Sequence, residues 1–218
     1  MKYLFIDFEF SNSNNHEPKI CEFGYVLVDS NLEIIEEDDI LINPGKGGAF
    51  QTGVGFPYAH PMKDYYKAPL YPMRYDFIKN LLLERDTVII GFSIDSDIDS
   101  IKVQNKRYNL PDYHIKGYDI QRYLDEYKKE ARKVSLEKKF NEMAYEEDLM
   151  GIRAHNPEDD AYMTFKIFQY SMEDSGKNID EFMKDLEDTL YDSNEGYIHK
   201  WFVKNFTFIW KECEFLLN

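Results

Sequence analysis

Residues 3–10 read YLFIDFEF, and this stretch decides the fold prediction. Its apolar side chains have the pattern of a buried strand, interrupted by Asp7 and Glu9. Successive side chains of a strand point to opposite faces, so the two acids share one face and Phe8 lies on the other. Two carboxylates on a core strand are costly to bury unless a cation compensates them. Edge strands carry such pairs without a ligand, so the stretch alone leaves a metal site open.

The rest of the chain predicts an α/β fold. Further strands are expected at 20–29 (ICEFGYVLVD), 32–36, 87–92 (TVIIGF) and 114–119. Helical spacing of apolar residues predicts helices at 71–84, 97–108, 120–131, 134–144 and 157–172. The first three strands are expected to be antiparallel, and the later strands alternate with helices. This order indicates a mixed five-stranded sheet flanked by helices. A long loop at 43–69, rich in Gly and Pro, is expected to be functional or mobile.

The pattern changes after residue 175. Apolar residues from Ile179 to Leu190 form an amphipathic stripe, and 197–217 are rich in aromatic residues. We expect a main domain at 1–175 and a C-terminal helical extension at 176–218. The extension either packs on the domain or mediates an interaction with a protein partner or a second copy of the chain.

The net charge argues at first against a nucleic-acid partner. The chain has 26 Lys and Arg against 41 Asp and Glu, a formal charge of −15, and phosphate binding depends mainly on Lys and Arg. The segment 102–139 is different, because it holds eleven Lys and Arg against six Asp and Glu. This asymmetry predicts one basic face on an acidic molecule, although a solvated helical segment has the same composition.

Composition also indicates where in the cell the protein is expected. The two cysteines, Cys21 and Cys213, form no CxxC pair, so neither a zinc knuckle nor a disulfide framework is indicated. The sequence has no apolar run of the length that a signal peptide or a membrane span requires. We expect a cytoplasmic protein without a membrane partner.

Two further acidic motifs follow the first. The segment SIDSDID directly follows the strand at 87–92 and places Asp95, Asp97 and Asp99 where a strand meets a helix, the usual position of functional groups in open α/β sheets. The segment HNPEDDA places His155 just before a helix and Asp160 in its first turn. Asn156 and Pro157 are residues typical of a helix start. Taken singly, each motif also fits a helix N-terminus with favourable acids.

Together the motifs resemble a known family. Asp7-x-Glu9, Asp97 after GFSIDS, and His155-x4-Asp160-Ala161 are similar to the three motifs of the DEDDh 3′→5′ exonucleases, which have an RNase H-like fold. The resemblance covers roughly residues 3–170. Asp97 is chosen over Asp99, the alternative ligand, because it stands six residues after Gly91 and four before Ile101, as the motif requires.

The resemblance implies a mechanism. Asp7, Glu9, Asp97 and Asp160 would bind two Mg²⁺ or Mn²⁺ ions, and His155 would be the general base. The reaction would release nucleoside 5′-monophosphates from the 3′ end of single-stranded DNA or RNA, with the choice between them left open. A proofreading or repair-complex subunit and a nucleic-acid-binding module without catalysis are the alternatives. All five motif positions are filled, which argues against the last of these.

Substrate contacts are expected from aromatic and basic residues. Phe8 and Phe10 flank the first motif and could stack on the terminal base, although strand parity favours a core position for Phe8. Phe92-Ser93 stands where many members of the family have His-Asn, a departure that leaves the contacts at that position open. The basic residues expected to follow the nucleic-acid backbone are Lys106, Arg107, Arg122, Lys128, Lys129, Arg132 and Lys133.

Overall fold

The computed structural model describes residues 1–13, 18–46, 48–49, 58–127 and 134–198. The strands are β1 (Lys2–Ser13), β2 (Lys19–Val28), β3 (Ile34–Leu41), β4 (Gly48–Ala49), β5 (Thr87–Gly91), β6 (Lys116–Asp119), β7 (Leu190–Asp192) and β8 (Gly196–Tyr197). The helices are α1 (Met62–Lys67), α2 (Tyr71–Leu82), α3 (Ile94–Arg107), α4 (Ile120–Tyr127), α5 (Leu136–Met143), α6 (Pro157–Ser175) and α7 (Ile179–Asp185), with 3₁₀ turns at Glu146–Leu149 and Leu186–Thr189.

The sheet is mixed, as predicted. Its strand order is β3-β2-β1-β5-β6-β7-β8, and the short β4 pairs with the far end of β1. The pairs β1–β5 and β5–β6 are parallel, whereas β1–β2, β2–β3, β6–β7 and β7–β8 are antiparallel. The five strands expected from the sequence all form, but β7 and β8 extend the sheet beyond the five strands that were predicted.

Each face of the sheet has its own core because alternate side chains of β1 point to opposite sides. Leu4, Ile6 and Phe8 pack in a core that includes residues of α2 and α3. Tyr3 and Phe5 pack in a second core with residues of α4, α5, α6 and α7. Asp7 and Glu9 continue the second series along the strand, and this parity directs them to the face that α6 covers.

The chain after α6 differs from the prediction of a helical extension. Helix α7 ends at Asp185, and Leu190, expected at the end of the helical stripe, instead begins β7. Strand β7 pairs with β6, and β8 pairs with β7, so this segment covers an edge that β6 would otherwise expose. Residues 199–218, which include most of the aromatic stretch, lie outside the described residues.

A smaller difference from the prediction concerns the long loop. The expected loop at 43–69 contains β4 and α1, and its residues 47 and 50–57 lie outside the described part of the chain. Within the described ranges, every helix is too short or too polar to cross a lipid bilayer. Cys21 is buried as a free thiol, and Cys213 falls among residues 199–218.

Candidate active site

Glycine at position 24 determines how closely α6 approaches Asp7. Gly24 on β2 is the register partner of Asp7 on β1. A Cβ atom at Gly24 would lie 2.0 Å from the carbonyl carbon of Pro157 and 2.1 Å from the nitrogen of Glu158. The first turn of α6 therefore rests directly on the sheet beside the first motif. The three acidic motifs do not point to Gly24, but a glycine inside a strand is a signal for close backbone approach.

The start of α6 is built as the sequence predicts. The Asn156 side chain accepts a hydrogen bond from the Glu158 backbone N–H at 3.1 Å, and Pro157 occupies the first turn. Asp160 follows in the same turn and is 7% exposed. Its Oδ2 accepts a hydrogen bond from the backbone N–H of His155 at 3.2 Å. The cap thus fixes Asp160 and the backbone of His155 relative to each other.

His155 reaches Glu9 across this turn. Its backbone is in the left-handed region with φ of 64°, and its Nδ1 lies 3.6 Å from Glu9 Oε1. The ligand atoms of Glu9, His155 and Asp160 all lie within 4.8 Å of one another. The His155 side chain remains 55% exposed, so the imidazole borders the cluster of acids and also faces solvent.

Asp97 joins this cluster and Asp99 does not. Helix α3 begins at Ile94, three residues earlier than predicted, which places Asp97 in its first turn. Asp97 is buried, interacts electrostatically with Asp7, and accepts a hydrogen bond from the backbone N–H of Phe8. Asp99 is exposed and accepts a hydrogen bond from the Tyr191 hydroxyl at 2.8 Å. The side-chain directions favour Asp97 as the second-motif acid.

Burial raises the pKa of all four acids, and neighbouring carboxylates add to the shift at Asp7, Asp97 and Asp160. Burial raises the pKa of Asp7 well above its usual range, and the charges of Asp97, Asp160 and Glu9 add to the effect. Burial and then Glu9 raise the pKa of Asp160 to about 8. The pKa of Asp97 is likewise raised, chiefly by burial, although the Phe8 N–H opposes the shift. Buried acids that repel one another in this way match a donor set for divalent cations, which would compensate their charge.

A pH dependence of stability follows for the metal-free chain. The Asp160 carboxyl has a pKa of about 8 in the fold and about 3.9 in an unfolded chain. The folded state retains the proton across this window, so the free energy of unfolding is expected to fall as the pH rises from about 4 to about 8. Urea denaturation in EDTA at several pH values measures this fall. A metal-free chain that becomes more stable between pH 5 and pH 8 would contradict it.

Comparisons with known proteins agree with this architecture. No family model and no curated protein matches the sequence. A full-length 3′-exonuclease superposes with a TM-score of 0.66 at 16% identity, over 81% of this chain and 83% of that chain. The nuclease domain of 3′hExo, a DEDDh family member, gives 0.59 at 18% identity over 80% and 92% of the two chains. Exonuclease I of E. coli gives a TM-score of 0.61 at 14% identity over 84% of this chain and 42% of that chain.

This chain has the DEDDh exonuclease fold. The structural matches extend over four fifths of its length, beyond the central sheet that the motifs occupy. At identities of 16–18%, the likeness concerns the fold, and the chemistry must be argued from this chain's own residues.

The aromatic residues expected at the substrate lie mostly in the core. Phe8 is 3% exposed and stacks on Phe23 with ring centroids 4.4 Å apart. The prediction that Phe8 contacts substrate is therefore wrong, because strand parity turns its ring away from the acids. Phe10 is partly buried against the same core, as expected for a residue that shares the parity of Phe8.

Phe92 and Ser93 lie at the junction between β5 and α3. Phe92 is partly buried against the core on the α6 side of the sheet. Ser93 has φ of 60°, and its backbone N–H donates to Asp119 at 3.1 Å while its hydroxyl donates to Gln121. These contacts tie Ser93 to the end of β6 and the start of α4. A substrate contact at this junction remains a prediction.

Of the basic residues expected to follow the nucleic-acid backbone, Lys106, Arg107 and Arg122 lie in the described part of the chain. Lys106 and Arg107 end α3, about 14 Å along the helix axis from Asp97 at a rise of about 1.5 Å per residue. The Arg107 guanidinium donates to Gln104 Oε1 at 2.8 Å, and the Arg122 guanidinium lies 4.1 Å from the centroid of the Tyr197 ring. The other four expected contacts, Lys128, Lys129, Arg132 and Lys133, lie outside the described residues.

Proposed function

We propose that this chain is a metal-dependent 3′→5′ exonuclease that hydrolyses phosphodiester bonds of single-stranded DNA or RNA. The observation that carries the proposal is the convergence of four acids from β1, α3 and α6 beside His155, with raised pKa values for Asp7, Asp97 and Asp160. Perturbed acids that meet at the end of a sheet indicate a functional site more often than a structural one.

The acids are proposed to hold two Mg²⁺ or Mn²⁺ ions. Asp7 is the central ligand because Asp97, Asp160 and Glu9 all act on its charge. Glu9 and Asp160 lie beside His155, so they would hold the ion that acidifies the attacking water, and Asp97 would help to hold the other. Such ions supply charge stabilisation for the phosphoryl oxygens and a more acidic water.

His155 is proposed to accept the proton of the attacking water. An imidazole exchanges protons near neutral pH, and this ring lies beside Glu9 while more than half of its surface faces solvent. Asp160 holds the His155 backbone N–H, so the same carboxylate that serves as a ligand also orients the base. The left-handed backbone of His155 directs the residue back over the first turn of α6.

The substrate class draws support from what the similar structures contain. The structure of one 3′-exonuclease concerns its 3′-end specific recognition of a histone mRNA stem-loop. The 3′hExo nuclease domain was bound to rAMP, and Exonuclease I of E. coli was bound to a dA16 oligonucleotide. RNA and DNA therefore both occur with this fold. For this chain we propose nucleoside 5′-monophosphates as products and leave both polymers as substrates.

The proposed catalytic unit extends beyond residue 175. Strands β7 and β8 complete the sheet next to β6, and the Tyr197 hydroxyl donates to Asp119 Oδ2 at 2.5 Å. Residues 199–218 are proposed as a contact for a protein partner or a second copy of the chain. We further propose a cytoplasmic location, where the buried Cys21 would stay a thiol.

Loss of the base is expected to slow the reaction without abolishing it. Removing a positioned proton acceptor costs about 10²- to 10⁴-fold, so the His155→Ala variant should lose activity in this range while its half-saturating Mn²⁺ concentration changes little. His114→Ala is the matched control, because His114 also pairs with an acid, Asp192, at 2.8 Å. Equal rates for both variants and the parent chain would rule out His155 as the base.

The proposed function is tested with one panel of substrates. End-labelled single-stranded DNA, single-stranded RNA, duplex DNA and a dinucleotide are each incubated with Mg²⁺, Mn²⁺ or EDTA. We expect stepwise shortening from the 3′ end with either ion and none in EDTA. A folded chain that shortens no substrate with any ion would overturn the proposal and favour the binding module.

A further inference from the structure

A second cluster of metal-type ligands lies beside the proposed active site. It consists of Glu22 on β2, Asp39 on β3 and His60 in the segment before α1. Glu22 is the register partner of Glu9, and Asp39 is the partner of Gly24. Register partners share a face of the sheet, so this cluster continues the acidic row of Asp7 and Glu9 toward the sheet edge.

The three side chains meet closely. His60 Nε2 lies 2.6 Å from Asp39 Oδ2 and 3.5 Å from Glu22 Oε1. All three potential ligand atoms lie within 4.8 Å of one another. His60 is 38% exposed on its side chain, which gives the cluster access from solvent.

The carboxylates of this cluster are incompletely satisfied. Glu22 is fully buried; its Oε2 accepts a hydrogen bond from the Tyr65 hydroxyl at 2.6 Å, but its Oε1 has no hydrogen-bond partner among the described residues. Asp39 Oδ1 is also buried without such a partner in the described ranges. Unpartnered carboxylate oxygens are rare in protein interiors because burying them is costly. In the metal-free chain the two carboxyls can share a proton, since the Glu22 side chain is within hydrogen-bonding reach of Asp39, and a cation can replace that proton.

The electrostatics agree with the geometry. Burial and the nearby Asp39 charge raise the pKa of Glu22 to about 9. With this pKa the Glu22 carboxyl keeps its proton at neutral pH in the metal-free chain, and a divalent cation between the two carboxylates would take the place of that proton. A divalent cation bound between them would supply both the charge and the missing ligand for Glu22 Oε1.

We propose that Glu22, Asp39 and His60 bind one divalent transition-metal ion at a site separate from the acids of the proposed active site. One imidazole nitrogen and two carboxylate oxygens form a ligand set that suits Zn²⁺ better than Mg²⁺, which prefers oxygen ligands alone. The Tyr65 hydroxyl orients Glu22 as an outer-shell partner. The ion would tie the segment before α1 to β2 and β3.

The test uses Zn²⁺ alone as the probe. The full-length His155→Ala variant is titrated with Zn²⁺ by calorimetry in excess Mg²⁺, so that no imidazole remains at the proposed active site. We expect one Zn²⁺ per chain bound at the second cluster. Adding His60→Ala should weaken the affinity by at least about 100-fold, the upper end of the loss caused by outer-shell changes. Adding His114→Ala, whose ring pairs with Asp192, should leave it unchanged.

The outcomes separate this site from the proposed exonuclease activity. Circular dichroism checks each variant, and Asp39→Asn, which keeps the side-chain shape, serves if His60→Ala does not fold. No Zn²⁺ binding to the His155→Ala chain, or equal binding after loss of His60 or the Asp39 carboxylate, would overturn the proposal. Nucleotide release is measured separately, on the parent chain. A chain that is inactive on every substrate could still bind Zn²⁺ at this site, and an active chain could fail to bind it, so the two proposals fail independently.

Discussion

Replacing Asp7 by Asn is expected to abolish metal-dependent release of nucleotides while the chain stays folded. Asp7 lies between the other acids, which all act on its charge, and Asn keeps the shape while removing the negative charge. A bound divalent ion contributes several kcal/mol of charge stabilisation in the transition state. We therefore expect a loss of about 10³-fold or more in rate, measured as initial shortening of a labelled single-stranded oligonucleotide in Mn²⁺.

The same substitution should stabilise the metal-free chain. Burial and repulsion from four carboxylates disfavour the charged form of Asp7, so neutral Asn removes a cost that the fold bears at neutral pH. Thermal unfolding in EDTA at pH 8 is expected to occur at a higher temperature in the variant than in the parent chain. A gain in stability together with a loss of activity is the signature of a site built for a ligand.

Asp99→Asn is the matched control for Asp7→Asn. Asp99 belongs to the same motif as Asp97 but is exposed and binds the Tyr191 hydroxyl, a contact that an Asn side-chain oxygen can keep. Its substitution should leave the rate within about twofold, as surface changes away from special features usually do. If Asp7→Asn kept full activity, or if Asp99→Asn lost as much as Asp7→Asn, the assignment of the acids would be wrong.

The long elements could be predicted from sequence because their signals are local. The alternation in 3–10 and the apolar runs at 20–29 and 87–92 identify strands, and Asn156 with Pro157 marks the start of α6 to the residue. Strands β7 and β8 have only three and two residues. Strand β7 depends on pairing with β6, about seventy residues away in sequence, and β8 depends on pairing with β7. No local sequence pattern records the pairing with β6.

The identity of the site residues could be predicted from the sequence, but the contacts around them could not. Motif spacing selected Asp7, Glu9, Asp97, His155 and Asp160, and the structure brings these residues to one place. Spacing could not show that Asp99 turns toward Tyr191, since this depends on where α3 begins. The motif spacing also gives no reason to single out Glu22, because the strand at 20–29 has the pattern of a buried strand. Strand parity alone places the ring of Phe8 opposite Asp7, and its burial in the core agrees with this parity.

The Gly24→Ala substitution is expected to displace α6 and with it the ligands that α6 carries. The added Cβ would lie about 2 Å from backbone atoms of Pro157 and Glu158, which cannot rotate away as a side chain can. Relief requires the first turn of α6 to move by about 1 Å, and a misplacement of this size can cost about 10²-fold in rate. Overpacking of this kind also costs about 1–3 kcal/mol in the free energy of unfolding. Nucleotide release in Mn²⁺ and urea denaturation measure the two effects.

Gly117→Ala separates this effect from the general cost of filling a glycine in the sheet. A Cβ at Gly117 on β6 would lie 2.4 Å from Cδ1 of Ile94, the end of a flexible side chain that can change rotamer. We expect this variant to lose stability but to retain more activity than Gly24→Ala, because the first turn of α6 stays in place. A Gly24→Ala chain as active as the parent would mean that the contact between β2 and α6 does not position Asp160 and His155. Rescue of its activity by raised Mn²⁺ would instead locate the loss in the ligand Asp160 rather than in the base, since more metal cannot replace a displaced imidazole.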